Sequence, residues 1–206
     1  MSDINFPPIL GSFQWAIFRL TIEARTALHL PAFKGSTLRG AFGQVFRRAV
    51  CPIKGQQCSG CPLQDRCVYA YIFETIPPPN DPFLREKYKA PHPFIIRPPR
   101  EAREDFASGE PLAFELVLIG QAIDYLPYFV YTFMEMGQTG LGKGRGKFFL
   151  PSIESIGLDG TGEIIYQGAP QQLRNRIILL NGGDLLNYAR VPESFTLRFL
   201  SRVRIK

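Results

Sequence analysis

Alternating apolar and polar residues mark the strands of this sequence. Residues 13–25, which read FQWAIFRLTIEAR, alternate with a period near two, and this predicts a strand with one buried face. The same signal predicts further strands at 94–97, 112–119, 148–156 and 164–167. The last of these is expected to pair back on its predecessor across an Asp159-Gly160 turn.

Apolar residues at helical spacing predict two helices between these strands. After Pro31, Ser36 or Thr37 is expected to cap a helix that runs to about Val50. A second helix is predicted at 123–136, and its aromatic residues are spread widely enough around the cylinder to predict burial on most sides. The order β, α, β, β, α, β predicts an α+β, ferredoxin-like fold, with an antiparallel sheet covered on one face by two helices.

A segment of about forty residues interrupts this order. Residues 51–90 hold all four cysteines and a Pro77-Pro78-Pro79 run, and they are too long for a plain loop. We therefore predict one ferredoxin-like domain over residues 1–190 that carries an insertion at about 51–90. Residues 194–206 alternate again and predict a strand. This strand either pairs with the first sheet or, as we expect, makes residues 191–206 the opening of a second domain that this chain does not contain.

Composition and charge narrow the class of protein. The 206 residues are 45% hydrophobic and 20% charged, which is typical of a globular domain. The net charge of +6 lies mostly in the first fifty residues and suggests a polyanionic partner. Without a basic leader or an apolar run of about 18 residues, we expect a cytoplasmic protein with no membrane partner.

The four cysteines form a C-x6-C-x2-C-x5-C pattern at Cys51, Cys58, Cys61 and Cys67. The two-residue spacer with Gly60 lets two thiolates converge on one metal ion, and the outer pair can complete a tetrahedron. We expect a structural zinc ion at this closed site. An iron-sulfur cluster, or four thiols or two disulfides without metal, are the alternatives.

A second motif is a glycine-rich loop at residues 140–147, hereafter the glycine loop. Its glycines permit close backbone approach, and its cations suit a phosphate backbone. It follows a helix and leads into a strand, so it is not a nucleotide-binding loop of the usual kind, and a mobile hairpin with solvated charges is the alternative. With three arginines of the first helix, the candidate phosphate-binding residues are Arg39, Arg47, Arg48, Gly140, Gly142, Lys143, Gly144, Arg145, Gly146 and Lys147.

The chain has two histidines. His29 precedes Lys34 and the cationic helix, and a histidine among cations can act as acid or base in phosphodiester cleavage. His92 lies between Pro91 and Pro93, before a predicted strand. Either residue can equally be an ordinary surface or packing histidine. No carboxylate cluster suggests a catalytic metal.

Four segments, in this order, resemble the CRISPR-associated repeat-RNA-processing endoribonucleases of the RAMP superfamily. They are AFKGSTLRGAFGQVFRRAVC, the cysteine run continued as C-x-Y-x3-F to Phe73, PHPFIIRPP and GLGKGRGKFFL. The resemblance covers residues 13–156 and returns at SFTLRFLSRVRIK. It implies two tandem ferredoxin-like domains, of which this chain is an N-terminal portion, and a glycine loop that helps to hold RNA.

The resemblance also implies an activity. In such enzymes the ribose 2′-hydroxyl attacks the adjacent phosphate without a metal ion and leaves a 2′,3′-cyclic phosphate. Carried onto this sequence, His29 is the catalytic histidine and Lys34 the neighbouring cation that stabilises charge. We therefore predict an endoribonuclease that binds CRISPR repeat RNA. The alternatives are a non-catalytic RAMP subunit that holds guide RNA among other CRISPR effector subunits, and a zinc-stabilised protein-interaction domain.

Overall fold

A computed structural model describes residues 9–53, 57–75 and 90–188, together with the single residues 55, 194 and 196. Short 3-10 helices cover Gln64–Arg66 and Gly120–Tyr125, and a π-helix covers Ala70–Glu74. The other elements, in chain order, are α1 (Ile9–Ser12), β1 (Gln14–Ala24), β2 (Leu28–His29), α2 (Gly35–Val50), β3 (Phe94–Arg97), β4 (Asp105–Phe106), β5 (Pro111–Ile119), α3 (Leu126–Thr139), β6 (Phe148–Ile156), β7 (Gly162–Gln167), β8 (Gln172–Leu173), β9 (Leu180–Asn181) and α4 (Gly182–Tyr188).

The main sheet has β1 at its centre. The strand order is β3-β5-β1-β6-β7-β8, and every pairing in it is antiparallel. In the chain, α2 lies between β1 and β3, and α3 lies between β5 and β6. The four strands β3, β5, β1 and β6 therefore follow the order of a split βαβ fold, and the predicted antiparallel sheet with two helices is confirmed.

The two faces of β1 have different surroundings. Ala16, Phe18, Leu20 and Ile22 are buried in one large core with residues of α2 and α3, so both helices cover this face. The opposite face, hereafter the outer face, carries a small apolar cluster around Ile17. Period-two alternation in the sequence thus separates the core from the outer face.

Ion pairs occupy the rest of the outer face. The guanidinium of Arg19 lies 3.8 Å from the carboxylate of Glu115 and 3.5 Å from that of Glu154, on the two neighbouring strands. Glu115 is also 3.3 Å from Arg97 of β3. Because these side chains are partly exposed, each pair contributes about 1 kcal/mol or less to stability.

Phe42 of α2 is the centre of an aromatic cluster that joins the helices to the sheet and to the insertion. Its ring centroid is 5.0 Å from that of Phe133 and 5.1 Å from that of Phe129, both on α3. It is also 5.7 Å from Phe94 of β3 and 6.0 Å from Phe73 of the insertion. The side chain is fully buried. Rings at such separations add to the free energy of plain area burial.

The helices differ from their predictions in detail. Lys34 is the N-cap residue of α2, so Ser36 and Thr37 lie in the first turn instead of capping it. The α-helix predicted from 123 begins at Leu126 because Pro127 favours the first turn, and a 3-10 helix precedes it. The prediction that α3 is buried on most sides is wrong, since Tyr128 and Tyr131 are 45% and 49% exposed.

Sequence patterning missed the short elements. β2 and β4 form a separate two-stranded sheet, and β9 pairs with the start of β1. Residues 76–89 of the insertion, and 191–206 apart from 194 and 196, lie outside the described residues, so the predicted opening strand of a second domain is not tested. Among the helices that the structure describes, none is long and apolar enough to cross a membrane.

Replacing Phe42 with alanine is expected to lower the free energy of unfolding by about 3–5 kcal/mol, because the cavity opens between both helices and the sheet. Denaturant unfolding followed by circular dichroism measures this change. Tyr131→Ala, on the exposed side of α3, is the control and should change stability by about 0.5 kcal/mol or less. Equal losses in the two variants would contradict the central position of Phe42.

Candidate nucleic-acid interface

The glycine loop folds back onto β2. The amide of Lys143 donates a hydrogen bond of 2.9 Å to the carbonyl of His29, and the amide of Leu141 donates one of 2.8 Å to the carbonyl of Gly146. At the far end of the loop, the amide of Lys147 donates to the hydroxyl of Thr26. Hydrogen bonds therefore attach the loop to the β1–β2 segment, whereas the alternative from the sequence was a mobile hairpin with solvated charges.

Glycine is required where the loop meets this segment. A Cβ on Gly142 would overlap the carbonyl oxygen of His29, and one on Gly146 would overlap that of Ala27. Gly142 also has a φ of 73°. Gly144, with a φ of 80°, has open space around its Cα. Close approach of two backbones therefore explains Gly142 and Gly146, and conformation alone explains Gly144.

The three cations of the glycine loop, Lys143, Arg145 and Lys147, are exposed. Arg145 lies on a groove of about 270 Å³ between the loop and α2, hereafter the loop groove. Arg48 of α2 lies on the same groove. The remaining lining residues are small or uncharged: Ser36, Thr37, Gly40, Ala41, Gln44, Val45, Thr139, Gly140 and Gly142.

The loop groove is suited to an anion. Among its lining residues in the described part of the chain there is no Asp or Glu. Ser36 and Thr37 belong to the first turn of α2, where unpaired amides and the helix dipole favour negative charge. Gly40 has no side chain and open space beside it, so a chain of phosphates can approach the backbone of α2 there.

A second groove, of about 550 Å³ and open to solvent, lies on the other side of α2. It is lined by Arg39 and Arg47, and by Tyr69 and Phe73 of the insertion. The guanidinium of Arg39 lies 4.8 Å from the ring centroid of Phe94, and burial lowers its pKa without removing the charge. Arg47 lies 5.6 Å from the ring of Tyr69. The structure therefore places the predicted arginines on both sides of α2.

His29 forms a pair that the sequence did not predict. Its Nδ1 lies 2.5 Å from Oδ1 of Asp105, across the pairing of β2 with β4. Both side chains are exposed. A carboxylate at Nδ1 fixes the ring orientation and directs Nε2 away from the pair, as in many acid–base sites. No sequence signal points to Asp105, because the two-residue strand that carries it has no periodicity.

Lys34 is fully buried, unlike the exposed cation that a direct contact with RNA requires. Its ammonium donates hydrogen bonds to the carbonyls of Glu101, at 3.0 Å, and Ala32, at 3.4 Å. Burial lowers its pKa, and the nearby carboxylates of Glu101 and Glu104 oppose that change. The residue therefore holds the segment that leads to β4.

His92 joins the insertion to β3. Its Nδ1 donates a hydrogen bond of 3.2 Å to the carbonyl of Ile72, and its ring packs against Phe73 and Phe94. The side chain is half-buried. This position fits the packing interpretation of His92.

The four cysteines line one small cavity at the base of the insertion. All four are half-buried free thiols. Burial raises the pKa of the Cys58 thiol, and the carboxylate of Glu74 adds to the effect. In the described part of the chain, no three His, Cys, Asp or Glu side chains are arranged as a ready ligand cluster, so zinc remains a proposal.

The fold and the two grooves define a class of protein: a ferredoxin-like α+β domain with basic grooves along its first long helix. The chain belongs to the AF_1859_N family, described as an N-terminal domain, whose model matches residues 13–178.

The chain is 29% identical over 140 residues to an uncharacterized protein of Archaeoglobus fulgidus. That match covers 68% of this chain but 45% of the relative, so the chain spans about half of the relative's length. It is also similar to a chain in the crystal structure of a Csm3-Csm4 subcomplex in the type III-A CRISPR-Cas interference complex. The identity is 21% and the TM-score 0.47, with 73% of this chain and 87% of that chain covered.

Gly142→Ala is expected to detach the glycine loop from β2, because the added Cβ overlaps the carbonyl of His29. Gly144→Ala is the matched control, since it introduces the same side chain at a similar positive φ but into open space. Each costs about 1–2 kcal/mol for conformation, and Gly142→Ala should cost more. Hydrogen exchange of the Lys143 amide should accelerate only in Gly142→Ala; equal protection in both variants would refute the attachment.

Proposed function

We propose that this chain is an RNA-binding part of a CRISPR-associated RAMP protein, and that it holds guide or repeat RNA. The loop groove is the observation that carries the proposal. Arg48 and Arg145 lie on it, and the other cations of the glycine loop are exposed nearby. A cationic groove that has a glycine on its helical side, and no Asp or Glu among its described lining residues, is suited to a phosphate backbone.

The geometry favours single-stranded RNA over a rigid duplex. The two grooves follow α2 on either side, and the guanidinium groups of the second groove lie beside the rings of Tyr69 and Phe94. Because both rings are buried, the guanidinium planes that cover them are the surfaces that can stack unpaired bases, while other cations hold the phosphates. The CRISPR assignment itself depends on the four motifs, in order, that resemble the RAMP family.

The protein partners of this proposal are other subunits of a CRISPR effector complex. Such subunits would extend the RNA-binding surface that the loop groove forms, so binding by the chain with them should be tighter than binding by the chain alone.

A metal-independent endoribonuclease is the second candidate, and the His29–Asp105 pair favours it. In this proposal, Nε2 of His29 removes the proton of the 2′-hydroxyl as its oxygen bonds to phosphorus, and Asp105 stabilises the resulting imidazolium. The P–O5′ bond breaks in the same step, and the departing 5′-oxygen takes a proton from water. Lys143, whose amide donates to the carbonyl of His29 and whose side chain is exposed, would offset charge on the phosphate. Lys34 then acts as a positioning residue, because its ammonium is bonded to carbonyl groups.

The triple variant Lys143→Ala, Arg145→Ala, Lys147→Ala is expected to weaken RNA binding and to flatten its salt dependence. Each phosphate contact on a single strand contributes about 0.7 to the slope of log K against log salt, so three contacts contribute about 2. Fluorescence anisotropy with repeat RNA at several salt concentrations measures the slope.

The control removes three other arginines, Arg100, Arg174 and Arg176, and so makes the same change in net charge. All three are exposed and none lines the loop groove. The control should keep the parent slope within about 0.7. If the slope falls equally in both triple variants, the loss reflects net charge and not the glycine loop. If the parent binds no RNA, the protein-interaction domain is favoured.

If the chain contributes a nuclease site, His29→Ala should abolish cleavage of repeat RNA in buffer without divalent cations and leave RNA affinity within about twofold. Asp105→Asn should lower the cleavage rate by about 10- to 1000-fold, since the imidazole loses its orienting charge. Denaturing gels of end-labelled RNA, with detection of the cyclic phosphate, measure the rate. His92→Ala is the control histidine. If the parent protein leaves the RNA intact, the endoribonuclease proposal fails and RNA binding is the remaining proposed function.

A further inference from the structure

We propose that Cys51, Cys58, Cys61 and Cys67 are the four ligands of one structural zinc ion at the base of the insertion. The proposal does not depend on RNA binding. It develops the sequence expectation from three observations: where the thiols lie, how their backbones are held, and what the segment lacks.

The four cysteines converge although they span seventeen positions of the chain. Cys51 ends α2, and Cys67 precedes the turn that leads into the π-helix, yet both line the same cavity as Cys58 and Cys61. One small cavity is therefore bordered by thiols from both ends of the segment.

Backbone hydrogen bonds hold each cysteine at the end of a turn or helix. The amide of Cys51 donates to the carbonyl of Arg47 in the last turn of α2. The amide of Cys61 donates to the carbonyl of Cys58 at 3.2 Å, in a turn that Gly60 completes with a φ of 115°. The amide of Cys67 donates to the carbonyl of Gln64. Side chains on such short, fixed turns can converge on one ion at low entropic cost.

The segment from Cys51 to Cys67 has no apolar core of its own. None of its described residues is buried, and Leu63 is 45% exposed. Its regular structure in the described part is one turn of 3-10 helix. A segment of this kind needs a substitute for hydrophobic burial, and a tetrahedral thiolate site supplies one.

The thiols do not form a preassembled ligand cluster in the described residues, so zinc would draw them inward as it binds. This coupling is usual for small structural sites, where the ligands lose their protons and the segment becomes ordered in the same step. Four thiolates select zinc or iron over harder ions, and a closed four-cysteine site with a two-residue spacer is typical of structural zinc.

Thiol counting tests the proposal directly, because these four are the only cysteines of the chain. The chain is purified anaerobically under reducing conditions and assayed for metal by mass spectrometry. We expect one zinc per chain. Four thiols should react with Ellman's reagent after chelation with EDTA, and fewer than one should react promptly in the zinc-loaded chain. Cobalt(II) in place of zinc should give the visible bands of a tetrahedral tetrathiolate.

Cys58→Ser and Cys67→Ser should lose stoichiometric zinc, whereas Ser59→Ala, in the same turn, should retain it. Should the cysteine variants fail to fold, the parent chain still gives the answer, because chelation alone must expose its thiols and lower its Tm. Stoichiometric iron, two disulfides under anaerobic reduction, or four thiols that react equally with and without zinc would each overturn the proposal.

Discussion

The arrangement of the candidate interface depends on one close approach, between the backbone of the glycine loop and that of residues 27–29. Gly142 and Gly146 lie where any side chain would overlap a carbonyl oxygen, and the amide of Lys143 is bonded to the carbonyl of His29. This contact holds the loop next to α2, so that Arg145 and Arg48 share one groove. Without it, the loop cations would have no fixed position relative to the helix.

A buried lysine supports the same region from the other side. The ammonium of Lys34 is bonded to the carbonyl of Glu101, and the amide of Leu30 is bonded to that of Glu104. These bonds fix the segment before β4, which places Asp105 opposite His29. Burial of an ammonium costs free energy, which the hydrogen bonds to carbonyl groups and the nearby carboxylates offset in part. The lysine is therefore a structural anchor of the His29–Asp105 pair.

Periodicity in the sequence was sufficient to predict the strands β1, β3, β5, β6 and β7 and the two long helices, because each has a long or clearly bounded apolar pattern. It could not predict β2 and β4, since two-residue strands have no period. Asp105 lies on β4, and its partner His29 is 76 positions away in the chain, so periodicity could not predict this pair. The burial of Lys34 was equally invisible, since lysine is usually a surface residue and only tertiary structure surrounds it with carbonyl groups.

The ion pairs of the outer face have a consequence for how the molecule would meet a charged partner. Arg19 and Arg97 are balanced by Glu115 and Glu154, so their field is weak a short distance from the sheet. Arg145 of the glycine loop and Arg48 lie instead on the loop groove, whose described lining residues include no acid. A polyanion at the outer face would have to compete with Glu115 and Glu154 for Arg19 and Arg97, whereas at the loop groove it would meet cations with no carboxylate in the lining.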